Sequence, residues 1–342
     1  MFNKEKLGSK GGTKPQVHLL PMMAMLVFGI IALVGVVAAD SVFHGAPPVT
    51  NLSGVVNGSV DVKMNDADTW SLTAPGRDAQ YSWGNMTLEV VPNQKNLQFA
   101  RLYVVVYGGN MNASYTGNMT VQLYNGNTPG DVLVTGKELN LPYDAYDPNY
   151  NNPAYDTSVV FPLVNLSRVT SDYIAVFDIK DNISNMNTDN FNVSVTTYNV
   201  TGKFDARVKT VQLAYGWNET SGSTGDTKYW INEGHDPMTK YVGSDVYNMT
   251  WFNDTNYDPQ DYSATLWVDY LAGEDGAYKW NNIPLDGTNA PKPTVLNQLK
   301  YAGLNRLTWS TVSPGMLDDN YLEYARNNNS WYKINFAVLA IE

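Results

Sequence analysis

After residue 45 the chain breaks into short runs rich in Val, Tyr, Thr and Phe, each bounded by Asn, Gly, Asp or Pro. This punctuation constrains the fold more than any other feature, because it leaves no long helical pattern and many stretches of strand length. The runs predict strands at Asn85–Val91, Leu97–Tyr107, Met119–Tyr124, Ser158–Val164, Tyr173–Ile179, Phe191–Asn199 and Val208–Trp217. They continue at Tyr229–Asn232, Val246–Phe252, Tyr262–Leu271, Leu307–Val312 and Trp331–Ile341, with helix expected only around Leu317–Arg326. Many strands at short spacing predict an all-β chain of sandwich or jelly-roll type.

The chain also resembles itself. "ARLYVVVYGG" at Ala100–Gly109 parallels "ATLWVDYLAG" at Ala264–Gly273, and each half closes on an apolar strand, "VKTVQLAYGW" and "KINFAVLAIE". The expectation is two tandem, related, jelly-roll-like β-sandwich domains, 46–217 and 218–342, after an N-terminal hydrophobic helix. A length of 342 residues suits two domains. The alternation in both closing strands predicts one core-facing side.

Residues 1–45 differ. Lys4, Lys6, Lys10 and Lys14 precede an uncharged apolar run, Leu19 to Ala39. About 20 such residues span a membrane, and the basic flank stays in the cytoplasm. Val37-Ala38-Ala39 also offers small residues for signal cleavage before Asp40. Cleaved signal and retained anchor both export the remainder to the cell surface, and the second makes the membrane a partner.

The formal net charge is −11, and it grows more negative without the basic leader. Such a surface repels nucleic acid. With no cysteine and three histidines, neither disulfides nor a multi-histidine metal centre is expected. Thirteen Asn-x-Ser/Thr triplets all follow the apolar run: Asn51, Asn57, Asn85, Asn112, Asn118, Asn165, Asn182, Asn192, Asn199, Asn218, Asn248, Asn253 and Asn328. On an exported chain they are glycan acceptors, and acceptors must avoid the core.

Calcium is the one cofactor the sequence admits, since it takes oxygen ligands from flexible acidic loops. Asp144, Asp147 and Asp156 share one such loop, and Asp254, Asp258 and Asp261 another. Ordinary solvated turns are the favoured reading of both loops, and neither has EF-hand spacing. Of nine tryptophans, Trp217, Trp267 and Trp309 lie in apolar strands and read as core. Trp83, Trp251 and Trp280 have polar neighbours and are the candidates for stacking on sugars.

"KYWINEGHD", Lys228–Asp236, offers Glu233 and His235 two apart, on one face of a strand. As acid and base they would need a nucleophile or second carboxylate. No G-x-S-x-G, H-E-x-x-H or phosphate-binding cradle occurs. The reading favoured here is a strand Tyr229–Asn232 that turns at Gly234, with Glu233 and His235 bracing the turn and Asp236-Pro237 starting the next. Ligand binding by the pair is the alternative.

In order along the chain, "ARLYVVVYGG", "YGW", "YWINEGHD" and "ATLWVDYLAG" resemble a domain of unknown function from cell-surface proteins of methanogenic archaea. The likeness covers roughly 51–342 and is most specific at Trp230–His235. It implies an exported, β-rich surface protein and assigns no catalytic residues. The resulting expectation is a non-enzymatic cell-surface glycoprotein with a structural or adhesive role, whose partners are envelope proteins, glycans or further copies of itself. A carbohydrate-binding protein is the first alternative, and a hydrolase using Glu233 a remote one.

Overall fold

The computed structural model describes residues 47–64, 83–90, 96–108, 115–126, 128–141, 165–169, 172–186, 191–202, 204–219, 225–237, 247–253, 255, 263–271, 276–285, 294–296, 304–309, 319–326 and 333–342. They form nineteen described strands and one short helix. The strands of the first half are β1 (Val49–Val56), β2 (Gly58–Met64), β3 (Trp83–Val90), β4 (Leu97–Tyr107) and β5 (Tyr115–Asn125). Then come β6 (Thr128–Leu141), β7 (Asn165–Val169), β8 (Asp172–Asp178), helix α1 (Lys180–Ser184), β9 (Phe191–Gly202) and β10 (Arg207–Asn218). The second half has β11 (Thr227–Pro237), β12 (Tyr247–Phe252), β13 (Ala264–Leu271), β14 (Gly276–Trp280) and β15 (Ile283–Pro284). It ends with β16 (Thr294–Leu296), β17 (Leu304–Trp309), β18 (Asn320–Arg326) and β19 (Lys333–Ile341).

All pairings are antiparallel, in four sheets. The first half has an inner sheet β2-β10-β4-β8-β7 and an outer sheet β3-β9-β5-β6. The second has an inner sheet β11-β19-β13-β17-β16, edged by β1, and an outer sheet β12-β18-β14-β15. Advancing each of β2–β10 by nine positions reproduces β11–β19, sheet for sheet. The resemblance between Ala100–Gly109 and Ala264–Gly273 is therefore structural: β4 and β13 hold the same place in two copies of one jelly-roll topology.

Three apolar clusters fill the layers. One lies between the sheets of the first half and includes Leu102, Val104, Met119, Leu123, Phe191 and Leu213. A second lies between those of the second half and includes Trp230, Phe252, Trp280, Trp309 and Leu339. The third joins the two inner sheets through Val60, Phe99, Tyr103, Val105, Tyr229, Ile231, Phe336 and Val338. Burying side chains of this size stabilises by about 1.5–3 kcal/mol each.

That third cluster changes the expected pattern. The closing strands β10 and β19 were predicted to bury one face, but β19 is buried at every position and β10 at nine of its twelve. A strand covered on both sides reads as a continuous apolar run, as parallel-sheet strands do. Outer strand β5 keeps the clean alternation of a half-solvated strand. Asn320–Arg326, expected as part of a helix, is strand β18; Leu322 and Tyr324 face the core two residues apart, which is strand spacing.

β1 and β2 meet at a corner, Asn57, where the chain passes from the second inner sheet to the first. So β1 precedes the first jelly roll but is hydrogen-bonded into the second, against β11. The corner is pinned from both sides. Asn57 N–H donates to Asn218 Oδ1 at 2.8 Å, its Nδ2 to Asp226 Oδ1 at 3.0 Å, and Glu219 N–H to the Asn57 carbonyl at 2.6 Å. Gly58 is required there, since a Cβ would sit 2.3 Å from the Trp217 carbonyl oxygen.

Candidate functional site

The strand expected to end at Asn232 runs on to Pro237, so Glu233 and His235 brace no turn, and the turn expected to start at Asp236-Pro237 would lie outside the described residues. Instead the alternation of β11 deals its side chains to two sides. Tyr229, Ile231, Glu233 and His235 share the face toward the first jelly roll, while Trp230, Asn232 and Asp236 share the face toward the second outer sheet.

Toward the second jelly roll, Asn232 accepts from Thr50 Oγ1 at 2.7 Å and donates to Thr250 Oγ1 at 2.6 Å and the Trp251 carbonyl at 2.8 Å. Asp236 Oδ2 accepts from Asn248 Nδ2 at 3.0 Å and from the Tyr324 hydroxyl at 2.8 Å. Trp230 Nε1 donates to the Asn253 carbonyl at 2.8 Å.

Toward the first jelly roll, Glu233 is 2 % exposed and accepts four hydrogen bonds. Arg101 of β4 donates from Nε to Oε1 at 2.7 Å and from Nη2 to Oε2 at 2.8 Å. The Tyr103 hydroxyl donates to Oε1 at 2.5 Å and Asn51 Nδ2 to Oε2 at 2.8 Å. Burial alone would lower the Arg101 pKa, but the Glu233 hydrogen bonds and charge outweigh it and raise it. Burial first, then the Glu233 charge, push the Tyr103 hydroxyl well above its ordinary range. A carboxylate held this way has no lone pair directed at a substrate, so its geometry is that of a lock between domains.

A second buried cluster lies on the same seam. Asp172, at the start of β8, is wholly buried and pairs with Lys209 of β10 at 3.2 Å and with Lys333 of β19. His235 is also wholly buried, feels all three charges, and has no hydrogen bond on either ring nitrogen. Burial would raise the Asp172 carboxyl, yet the two lysines hold it well below the usual carboxylate range. Burial pushes the Lys209 ammonium down to about 8, against the pull of Asp172. It pushes the His235 imidazole down to about 3, so the ring is neutral. Beside this cluster, Arg207 forks onto Asp205 and lies 4.7 Å from the centre of the Tyr107 ring, with Lys209 at 4.6 Å.

The other expected site residues scatter. Trp280, expected at the surface, is 3 % exposed and packs against Phe252 in the second core. The reason is its strand register: Lys279 faces out to Glu323, so its neighbour faces in. Trp251 is 48 % exposed, its ring 4.6 Å from that of Tyr321. Trp83 begins β3, and its side chain lies outside the described residues. So do Asp144, Asp147, Asp156, Asp254, Asp258 and Asp261, the calcium candidates. Among the described residues no three His, Cys, Asp or Glu side chains gather as a metal site. Asn51, Asn57 and Asn253 are exposed, and Asn118, Asn182, Asn192, Asn199, Asn218 and Asn248 half-buried. Asn85 and Asn165 lie in β3 and β7 with undescribed side chains, and Asn112 and Asn328 are outside the described residues.

Sequence reasoning missed Arg101, Tyr103, Asp172, Lys209 and Lys333. The signal was there: a cation inside an apolar strand that is buried on both faces needs a buried anion opposite it.

No curated protein matches the chain. A solved structure titled as a peptide-N(4)-(N-acetyl-β-D-glucosaminyl) asparagine amidase aligns over 82% of this chain and 96% of that chain, with 11% identity and a TM-score of 0.25. That title names an enzyme, against the expectation that the chain is not one, and that expectation is carried no further. At this TM-score the likeness carries no argument about which chemistry, if any, the chain performs. A family model matches residues 42–342, and the chain belongs to the family described as protein of unknown function DUF3344.

Proposed function

We propose that the chain is an exported cell-surface glycoprotein, of archaeal type, whose two jelly rolls act as one rigid envelope or adhesive module. The observation that carries this reading is the placing of the sequons: no described acceptor asparagine is buried, although strands buried on both faces make up much of the fold. The apolar run Leu19 to Ala39 supports export, and the buried seam supports rigidity, since it leaves the two jelly rolls no free hinge. Labelling of intact source cells with a membrane-impermeant amine reagent tests the reading. The exposed Lys63 is modified if the protein is outside the membrane, and only after lysis if it is inside.

Carbohydrate binding is the second reading, favoured by the exposed Trp251 beside Tyr321. An aromatic pair open to solvent on an outer sheet fits the apolar face of a sugar ring. Trp251→Ala would abolish retention on a polysaccharide affinity gel while leaving the melting temperature in place. Equal retention of both forms would end this reading.

A further inference from the structure

We propose that Lys333 and Asp172 condense to an intramolecular amide, an isopeptide bond that ties the second jelly roll covalently to the first. Lys333 stands on β19 and Asp172 on β8, on facing inner sheets, with their side chains in direct contact. Both are almost wholly removed from water, Lys333 at 3 % exposure and Asp172 at 0%. An ammonium and a carboxylate isolated from water are each costly, and condensation removes these two charges at once, leaving Lys209, whose ammonium burial already pushes down to about 8, free to lose its proton.

The atoms balance without a co-reactant. Proton transfer inside the ion pair gives a free amine and a carboxylic acid; burial favours these neutral forms, while Lys209 opposes protonation of Asp172, so they form as a minor state from which the reaction proceeds. Lys333 Nζ then bonds to the Asp172 side-chain carbon, and one carbon–oxygen bond breaks. That oxygen leaves as water, carrying the acid proton and one proton from the nitrogen. Nothing is oxidised or reduced.

The neighbours suit this step. Lys209 Nζ stands 3.2 Å from Asp172 Oδ1, where it stabilises the negative oxygen that forms as the nitrogen adds. His235 faces the same three groups as an uncharged imidazole, wholly buried and with neither nitrogen hydrogen-bonded. Uncharged, it adds no further cation that would hold Asp172 ionised. The buried site also keeps out the water that would reverse the reaction. The bond would close a loop between strands far apart in the chain, the setting in which a cross-link restricts the unfolded state most.

The experiment is the intact mass of the full chain, made in a host without glycosylation and measured after denaturation, followed by peptide mapping. The expected mass is lower than that of the sequence by one water molecule, with a branched peptide joining Lys333 to Asp172. The variant Lys333→Arg, which keeps the cation but cannot form the amide, would regain the full mass. A wild-type mass equal to the sequence, or a water deficit that persists in Lys333→Arg, would overturn the proposal.

Discussion

Arg101 of the first jelly roll and Glu233 of the second meet as two planar forks, Nε on Oε1 at 2.7 Å and Nη2 on Oε2 at 2.8 Å. This pairing turns the most specific stretch of the sequence into an inter-domain lock. Removing one partner strands the other charge in a buried seam, which costs about 3–5 kcal/mol. Arg101→Ala and Glu233→Gln should therefore each lower the urea midpoint strongly, and the double variant should lose much less than the sum of the two. Additive losses would mean that the pair is not coupled.

His235 gives the fold an acid-sensitive point. Its imidazole has a pKa of about 3 in the fold against 6.5 for the free side chain, with burial as the main cause. Between those values the unfolded chain binds the extra proton, so stability is complete above pH 6.5 and falls as pH drops toward 3. His235→Phe should flatten the dependence of the urea midpoint across that window. An unchanged slope would place the proton uptake elsewhere.

Much of the architecture is legible in the amino-acid sequence. β4 carries the residues predicted for it, and the Ala100–Gly109 and Ala264–Gly273 likeness marks strands in matching places. β1, β2 and β6 escape such a reading, because Gly, Asn and Asp within them resemble turn residues. The site is half legible. Glu233 and His235 stand out, but they lie on a strand expected to stop at Asn232, and their partners lie on strands as much as 182 residues away. Only the stacking of two inner sheets brings Arg101, Asp172 and Lys209 to them. Local spacing carries no record of that layer, except through cations such as Lys209 that interrupt an apolar run.

The corner between β1 and β2 depends on Gly58. A side chain there meets backbone, with the Trp217 carbonyl oxygen 2.3 Å from the added Cβ and Glu219 N at 2.9 Å. Backbone cannot rotate away as a flexible side chain can, so overpacking should cost about 1–3 kcal/mol. Gly58→Ala should lower the thermal midpoint. Gly126→Ala, where nothing lies within 4 Å but φ is +58°, should cost less, about 1 kcal/mol of backbone strain.

The β18 assignment is also testable. Leu322 and Tyr324 are wholly buried, while Tyr321, the residue before them, packs on exposed Trp251. Leu322→Ala should cost about 2–5 kcal/mol, and Trp251→Ala should stay within about 0.5 kcal/mol if the tryptophan serves a surface role. Equal losses at both positions would contradict the strand register.

The measurement that tests the central reading most directly is glycopeptide mass mapping of the protein isolated from its own cells. Sugar increments are expected on exposed acceptors such as Asn253. The protein is also expected to fractionate with the cell envelope. Unmodified asparagine at every sequon, in a protein recovered from the cytosol, would contradict that reading.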